Sequence, residues 1–150
     1  MNDFQAIADR VEIEALRGEF TDAVMMRDYD RVADLFTVDG VWRMPDIPAE
    51  MHGQAAIRAW GERVPGFVDF LIQNSHPGLI ELDGPAPADT ATGRTYMSEI
   101  GRGTDGRSAL NYAIYHDRYA RTADGWKFAE RAYEIRYFDE TPLTGTVPGH

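Results

Sequence analysis

SALNYAIYHDRYARTADGWKFAERAYEIRYF, residues 108–138, is the stretch that decides how this chain folds. Two runs rich in aromatic and β-branched residues flank Asp124-Gly125. Asp-Gly between such runs signals a hairpin, because glycine accepts the positive φ of a tight turn. The same pair recurs at Asp83-Gly84 and Asp105-Gly106. The second half of the chain therefore divides into four antiparallel strands, predicted at about 77–82, 90–102, 108–121 and 126–138. In the last, Trp126 and Phe128 share one parity while Tyr133, Ile135 and Tyr137 share the other, which predicts a bulge near Ala129 to Ala132. Strands apolar on both parities suit a strongly curved sheet buried on both faces, the outer one against a partner subunit.

Working back toward the N-terminus, the apolar period changes from two to nearly four. From Phe4 to Met26, apolar residues recur as Phe4, Ile7, Ala8, Val11, Ala15, Leu16, Phe20, Ala23 and Val24. This is an amphipathic helix, with Asn2 or Asp3 as N-cap. A short helix near residues 30–36 presents Val32, Leu35 and Phe36, and Asp39-Gly40 reads as a turn leading into a strand over Val41 to Met44. Pro45 and Pro48 make Pro45 to Met51 a loop. Ala56, Ile57, Trp60 and Val64 then mark a third helix, ended by Pro65-Gly66. Three helices ahead of a meander define an α+β class. The tail from Thr141 to His150, with Pro142, Gly145, Pro148 and Gly149, is expected to be flexible, leaving one domain over residues 1–140.

Composition narrows the function. The 150 residues, 43% hydrophobic, suffice for one core, and the net charge of −10 argues against nucleic acid and anionic membranes as partners. No window approaches the roughly 18 apolar residues of a membrane span, and the N-terminus lacks the pattern of a signal peptide, so a cytoplasmic location is expected. The absence of cysteine removes disulfides, thiolate metal sites and a cysteine nucleophile. Lys127, the single lysine, stands in a strand just after a turn and is a poor Schiff-base candidate.

The short motifs carry little. Gly101-Arg102-Gly103-Thr104-Asp105-Gly106 spells a dinucleotide fingerprint, but a strand follows it where a helix is required. His52, His76, His116 and His150 have no metal-ligand spacing, so no metal is expected. Asp28 and Asp30 fit helix-end and N-cap roles better than a paired-carboxylate site. No G-x-S-x-G nucleophile elbow occurs. His76, in Ser75-His76-Pro77 between the helical half and the long strands, reads either as a general base at a pocket mouth or as a strand-start histidine bonded to backbone. Trp42, Tyr96, Tyr112, Tyr115, Tyr133 and Tyr137 are core by default, yet their polar atoms need partners.

With Met26-Arg27-Asp28-Tyr29-Asp30-Arg31, Asp39-Gly40-Val41-Trp42, His76, Tyr115-His116-Asp117-Arg118-Tyr119 and Gly125-Trp126-Lys127-Phe128-Ala129 in hand, the chain resembles the SnoaL-like group of the NTF2-like superfamily over about Ile7 to Tyr137. Within it, the pattern is similar to scytalone dehydratase and related small cofactor-free lyases. The resemblance implies a cone-shaped fold, three N-terminal helices packed in a strongly curved, mostly antiparallel sheet. It implies no cofactor and a homo-oligomer, dimer or trimer, formed through the outer sheet face. The catalytic histidine of those lyases falls on His76. Their tyrosine–aspartate pair falls on Val24 and Met25, a pocket tyrosine on Met44, and two later polar residues on Ala113 and Tyr115.

These replacements imply an apolar wall of Val24, Met25, Trp42, Met44 and Tyr115, suited to a small aromatic or hydrophobic substrate. The expected activity is elimination of water, or of a one-carbon fragment such as formaldehyde, from a phenolic or polyketide-like alcohol, a step in aromatic compound metabolism. His76 is the general acid or base, and Tyr115, with Tyr96, binds an oxygen. A non-catalytic hydrophobe-binding or assembly module is the alternative. Ketosteroid-type isomerisation is the third reading, and it requires Glu99 to face the pocket as a carboxylate base.

Overall fold

The Asp-Gly pairs close their turns as their chemistry demands. In a computed structural model, which describes residues 4–149, Gly106 and Gly125 take φ values of +86° and +103°. They connect strands β4 (Thr90–Gly103), β5 (Ser108–Thr122) and β6 (Gly125–Asp139). β3 (Val68–Leu82) pairs with β4, and β1 (Phe36–Met44) lies parallel to β6, with the short β2 (Ala49–His52) on its far edge. The six-stranded order is β2-β1-β6-β5-β4-β3, antiparallel except for the β1–β6 pair. The expected bulge in β6 is present, since Phe128 pairs with Tyr119 and Glu130 with Arg118, leaving Ala129 as the extra residue. Helices α1 (Phe4–Met25), α2 (Tyr29–Asp34) and α3 (Gln54–Arg63) complete the α+β cone. The proposed N-cap of α1 lies outside the described residues.

Three local expectations are corrected. Asp39-Gly40 is not a turn but an irregularity inside β1, where a Cβ on Gly40 would stand 2.9 Å from Phe36 Cβ and 3.0 Å from the Phe128 carbonyl oxygen. A bulge exploits the small glycine as a turn does, so the dipeptide alone does not separate them. The loop after Pro45 contains β2, four residues whose Ala49 and Met51 point inward between exposed Glu50 and His52. β3 starts at Val68, well before the change of pattern that suggested a start near Pro77.

The core is built around Phe20 of α1, whose ring meets Phe36, Trp42, Tyr115 and Phe128 edge-on at 5.5–6.2 Å. The first turns of α1 depart from the amphipathic reading: Phe4, Ile7 and Val11 are exposed while Asp9 and Arg17 are buried. Each buried charge has partners. Asp9 accepts from Arg121 and the Trp126 indole, and Arg17 donates to the Tyr119 hydroxyl and the Leu79 carbonyl. Beneath them Arg131 and Asp117, both fully buried, form a two-pronged ion pair at 2.7 and 3.0 Å. Thr95 and Tyr119 also donate to Asp117, at 2.7 and 2.8 Å. No helix among the described residues is long and apolar enough to cross a membrane.

Candidate active site

A cavity of about 650 Å³ opens at the end of the cone. Val24 of α1, Trp42 and Met44 of β1, Trp60 of α3 and Leu71 of β3 make its apolar walls, with Ile135 and Phe138 of β6. Such a volume matches a small organic ligand. Alternation decides which strand residues reach it. Gln73, Glu99, Asn111, Tyr115 and Tyr133 share the inward face of β3 to β6, and the register sets Glu99 opposite both Gln73 and Asn111.

These side chains form one polar cluster in an apolar surround. Tyr133 stands in short hydrogen bonds to the Glu99 carboxyl and to the Asn111 side-chain oxygen, the latter at 2.5 Å. The Gln73 amide also donates to Glu99, while its own oxygen is buried without a protein partner. Burial pushes the Glu99 carboxyl above the ordinary glutamate range, and the bonds from Tyr133 and Gln73 only partly oppose this. The Tyr133 phenol is raised by burial and by the neighbouring Glu99 charge.

Tyr115 stands beside this cluster, its ring 4.7 Å from that of Tyr133. Its oxygen accepts from the Trp42 indole at 3.0 Å. No described residue accepts its proton, so its O–H is free to donate to a ligand. The Arg131 guanidinium lies 3.9 Å from the centre of the Tyr115 ring. Burial raises the Tyr115 phenol, and the Arg131 charge opposes that rise.

The structure brings together Val24, Trp42, Met44, Glu99 and Tyr115 of the expected site. It does not bring His76, Tyr96 or Met25 to the cavity. Because β3 runs from Val68, His76 is a mid-strand residue of the parity opposite Gln73, and it leaves the sheet on the outer face. There it is exposed and its Nε2 lies 3.1 Å from Ser98 Oγ. Tyr96, its cross-strand partner, is 41% exposed on the same face. The Met25 sulfur turns away to accept from the Gln73 backbone N–H at 3.1 Å. Gln73 is thus the polar residue of this stretch of β3 that faces the cavity, beside Leu71.

Other motifs take structural places. Asp28 caps α2 by accepting from the Arg31 N–H, and Asp30 pairs with Arg58. Residues 101–106 end β4 and turn into β5, with Gly103 and Asp105 at the cavity rim. Arg43 is paired with Glu50 and Glu130, and Lys127 donates to the Asp34 carbonyl. The tail is tied at Leu143, whose N–H donates to Ser108 Oγ at 2.9 Å. Among the described residues no three His, Asp or Glu side chains gather to hold a metal ion.

The sequence profile of a family described as a SnoaL-like domain matches residues 5–132. A candidate aromatic ring hydroxylase from Novosphingobium aromaticivorans superimposes with a TM-score of 0.80 at 28% identity, over 90% of this chain and 94% of that one. A hexachlorocyclohexane dehydrochlorinase, LinA type 3 from Novosphingobium barchaimii, does so with a TM-score of 0.83 at 25% identity, over 98% and 99%. A candidate scytalone dehydratase from Novosphingobium aromaticivorans, at 18% identity and TM-score 0.80 over 99% and 97%, shares the fold. No curated protein matches the chain.

Proposed function

This chain belongs to the SnoaL-like domain family, and from that premise we propose that it is a cofactor-free lyase. Its substrate is a small aromatic or polyketide-like molecule, from which it eliminates water or a one-carbon fragment such as formaldehyde. The observation that carries the reading is the Glu99–Tyr133–Asn111 cluster facing an apolar cavity, beside a Tyr115 hydroxyl with a proton to give. Ionised, Glu99 takes a proton from carbon, and the C–H electrons become the new double bond as the carbon–oxygen bond breaks. Tyr115 donates a hydrogen bond to the departing oxygen, and the proton held by Glu99 completes the released water. Loss of formaldehyde uses the same carboxylate on a hydroxymethyl group: Glu99 takes the O–H proton, the O–H electrons form the C=O bond as the carbon–carbon bond breaks, and Glu99 returns the proton to the carbon left behind. Glu99 therefore takes the acid–base role that the resemblance gives to His76. Likeness to a protein whose name denotes loss of hydrogen chloride supports elimination as the reaction class. General acid–base catalysis of this kind is worth roughly 10²- to 10⁴-fold in rate.

The test is mass spectrometry of purified protein incubated with a panel of aromatic alcohols, Glu99→Gln alongside. Loss of water or of a one-carbon unit that depends on Glu99 establishes the lyase. Loss that survives in Glu99→Gln removes Glu99 from the chemistry. Binding without turnover moves the reading to a ligand-binding module.

A second reading, proton-shift isomerisation, is favoured by the same inward-facing Glu99. It begins with the same proton abstraction but has no leaving group, so the product keeps its mass and gains deuterium from heavy water. The exposed aromatic residues Tyr96, Tyr112 and Tyr137 on the outer sheet face support self-association of the chain as a dimer or trimer.

A further inference from the structure

We infer that the cavity selects its ligand by charge, accepting uncharged or cationic molecules and excluding carboxylates, sulfates and phosphates of the same shape. The inference rests on the cavity being the small-molecule site proposed above. Its lining holds four carboxyl groups, Glu99 within and Asp46, Asp105 and Glu140 on exposed segments at the rim, against one cation, Arg107. The Arg107 side chain is 81% exposed and lies 4.0 Å from Asp105, so it stands at the rim, where it offsets part of that one carboxylate and leaves the others unopposed. Arg131, the nearest buried cation, does not line the cavity: Asp117 holds it from one side and the Tyr115 ring covers another.

An anion entering this space leaves water and finds inside it the Tyr115 O–H as a donor but no guanidinium or ammonium group in direct contact, so its lost hydration is only partly replaced. The outcome does not depend on the state of Glu99. Protonated, it offers one hydrogen bond to a group that needs several. Ionised, it repels. The rim carboxylates and the net charge of −10 oppose the approach as well. A neutral molecule meets none of these obstacles, and a cation gains from the carboxylates and from aromatic faces such as Trp60 and Phe67.

Three fluorescent probes of nearly one shape test this: anthracenemethanol, anthracenecarboxylate and aminomethylanthracene, titrated into the full chain at neutral pH. The expected result is that the carboxylate binds at least tenfold more weakly than the alcohol, about 1.4 kcal/mol, and the amine at least as well as the alcohol. A variant carrying Asp46→Asn, Asp105→Asn and Glu140→Gln, all at exposed positions, should recover part of the carboxylate's binding. Added salt should narrow the wild-type gap, because rim charges are screened. Carboxylate binding equal to or tighter than that of the alcohol overturns the inference while leaving the cavity as a binding site. An unchanged gap in the triple variant overturns the role given to the rim. Failure of all three probes to bind overturns the small-molecule reading beneath it.

Discussion

Replacing Glu99 by glutamine changes stability in a pH-dependent way that can be worked out without knowing the substrate. Burial in the cavity holds the Glu99 carboxyl above its usual value of 4.5 in the folded chain. Below that value the side chain is protonated in both the folded and the unfolded states, and nothing is lost. As the pH rises through it, the unfolded chain ionises while the folded one keeps its proton. The stabilisation present at low pH is therefore lost progressively, until the pH exceeds the folded value. Within that window the slope is at most about 1.4 kcal/mol per pH unit, or roughly 3–6 °C in melting temperature for a domain of this size. Glutamine keeps the shape and the hydrogen-bonding reach to Tyr133 and Gln73 but cannot ionise. The assay is thermal unfolding of both proteins across about pH 4 to 8. Other groups titrate alike in the two chains, so they cancel in the difference. Glu99→Gln should gain on the wild type as the pH rises, and the gain should level off above the folded value. A difference independent of pH would refute the burial argument, and with it the poised carboxyl on which the proposed chemistry rests.

Other substitutions separate the cavity from its supports. His76→Ala should leave turnover and melting temperature unchanged, because the imidazole is exposed on the outer face with Ser98 as its partner; a large loss of activity would restore the histidine to the mechanism. Tyr133→Phe removes a hydroxyl shared by Glu99 and Asn111, which should destabilise the chain by about 1–3 kcal/mol in chemical denaturation and depress turnover. Arg131→Met strands the buried Asp117 carboxylate and should cost roughly 3–5 kcal/mol, measured the same way. If the outer sheet face joins copies of this chain, Tyr112→Glu combined with Tyr137→Glu should yield monomers in sedimentation, with the fold intact by circular dichroism.

The meander was legible because its signals are local: Asp-Gly turns and aromatic or β-branched runs mark strands without reference to the rest of the chain. The start of β3 was not. Val68, Phe70 and Ile72 follow a proline-glycine break and carry no turn pair of their own, so local signals place the start of this strand only near Pro77. That shift put His76 at a strand mouth, where its direction was open, whereas mid-strand alternation turns it away from the cavity. The Glu99–Asn111 pairing was latent in the sequence. A tight hairpin centred on Asp105 pairs Arg102 with Ser108 and, by counting outward, Glu99 with Asn111. Gln73 and Tyr133 could not be found this way, because the bulges in β3 and β6 break such counting. The inward charges of α1 were hidden for a different reason. Periodicity assigns polar residues to the solvent, and only the three-dimensional partners of Asp9 and Arg17 overrule it.

Those inward charges bear on the site as well as on the fold. Arg17 reaches from α1 to the Tyr119 hydroxyl, Tyr119 donates to Asp117, Asp117 holds Arg131, and Arg131 lies against the Tyr115 ring. An apolar core of equal volume could be as stable, since desolvating such ions costs much of what their attraction returns. It would not, however, set the ring of Tyr115 between a cation and Tyr133 while the Trp42 indole occupies its oxygen from a third side. With the oxygen already accepting from Trp42, the one hydrogen bond left for Tyr115 to make is the one it donates. The positive charge behind the ring favours that donation as negative charge develops on a ligand oxygen. The polar chain through the core is thus better understood as orienting a donor than as holding helix to sheet, a task that Phe20 and its four aromatic neighbours already perform.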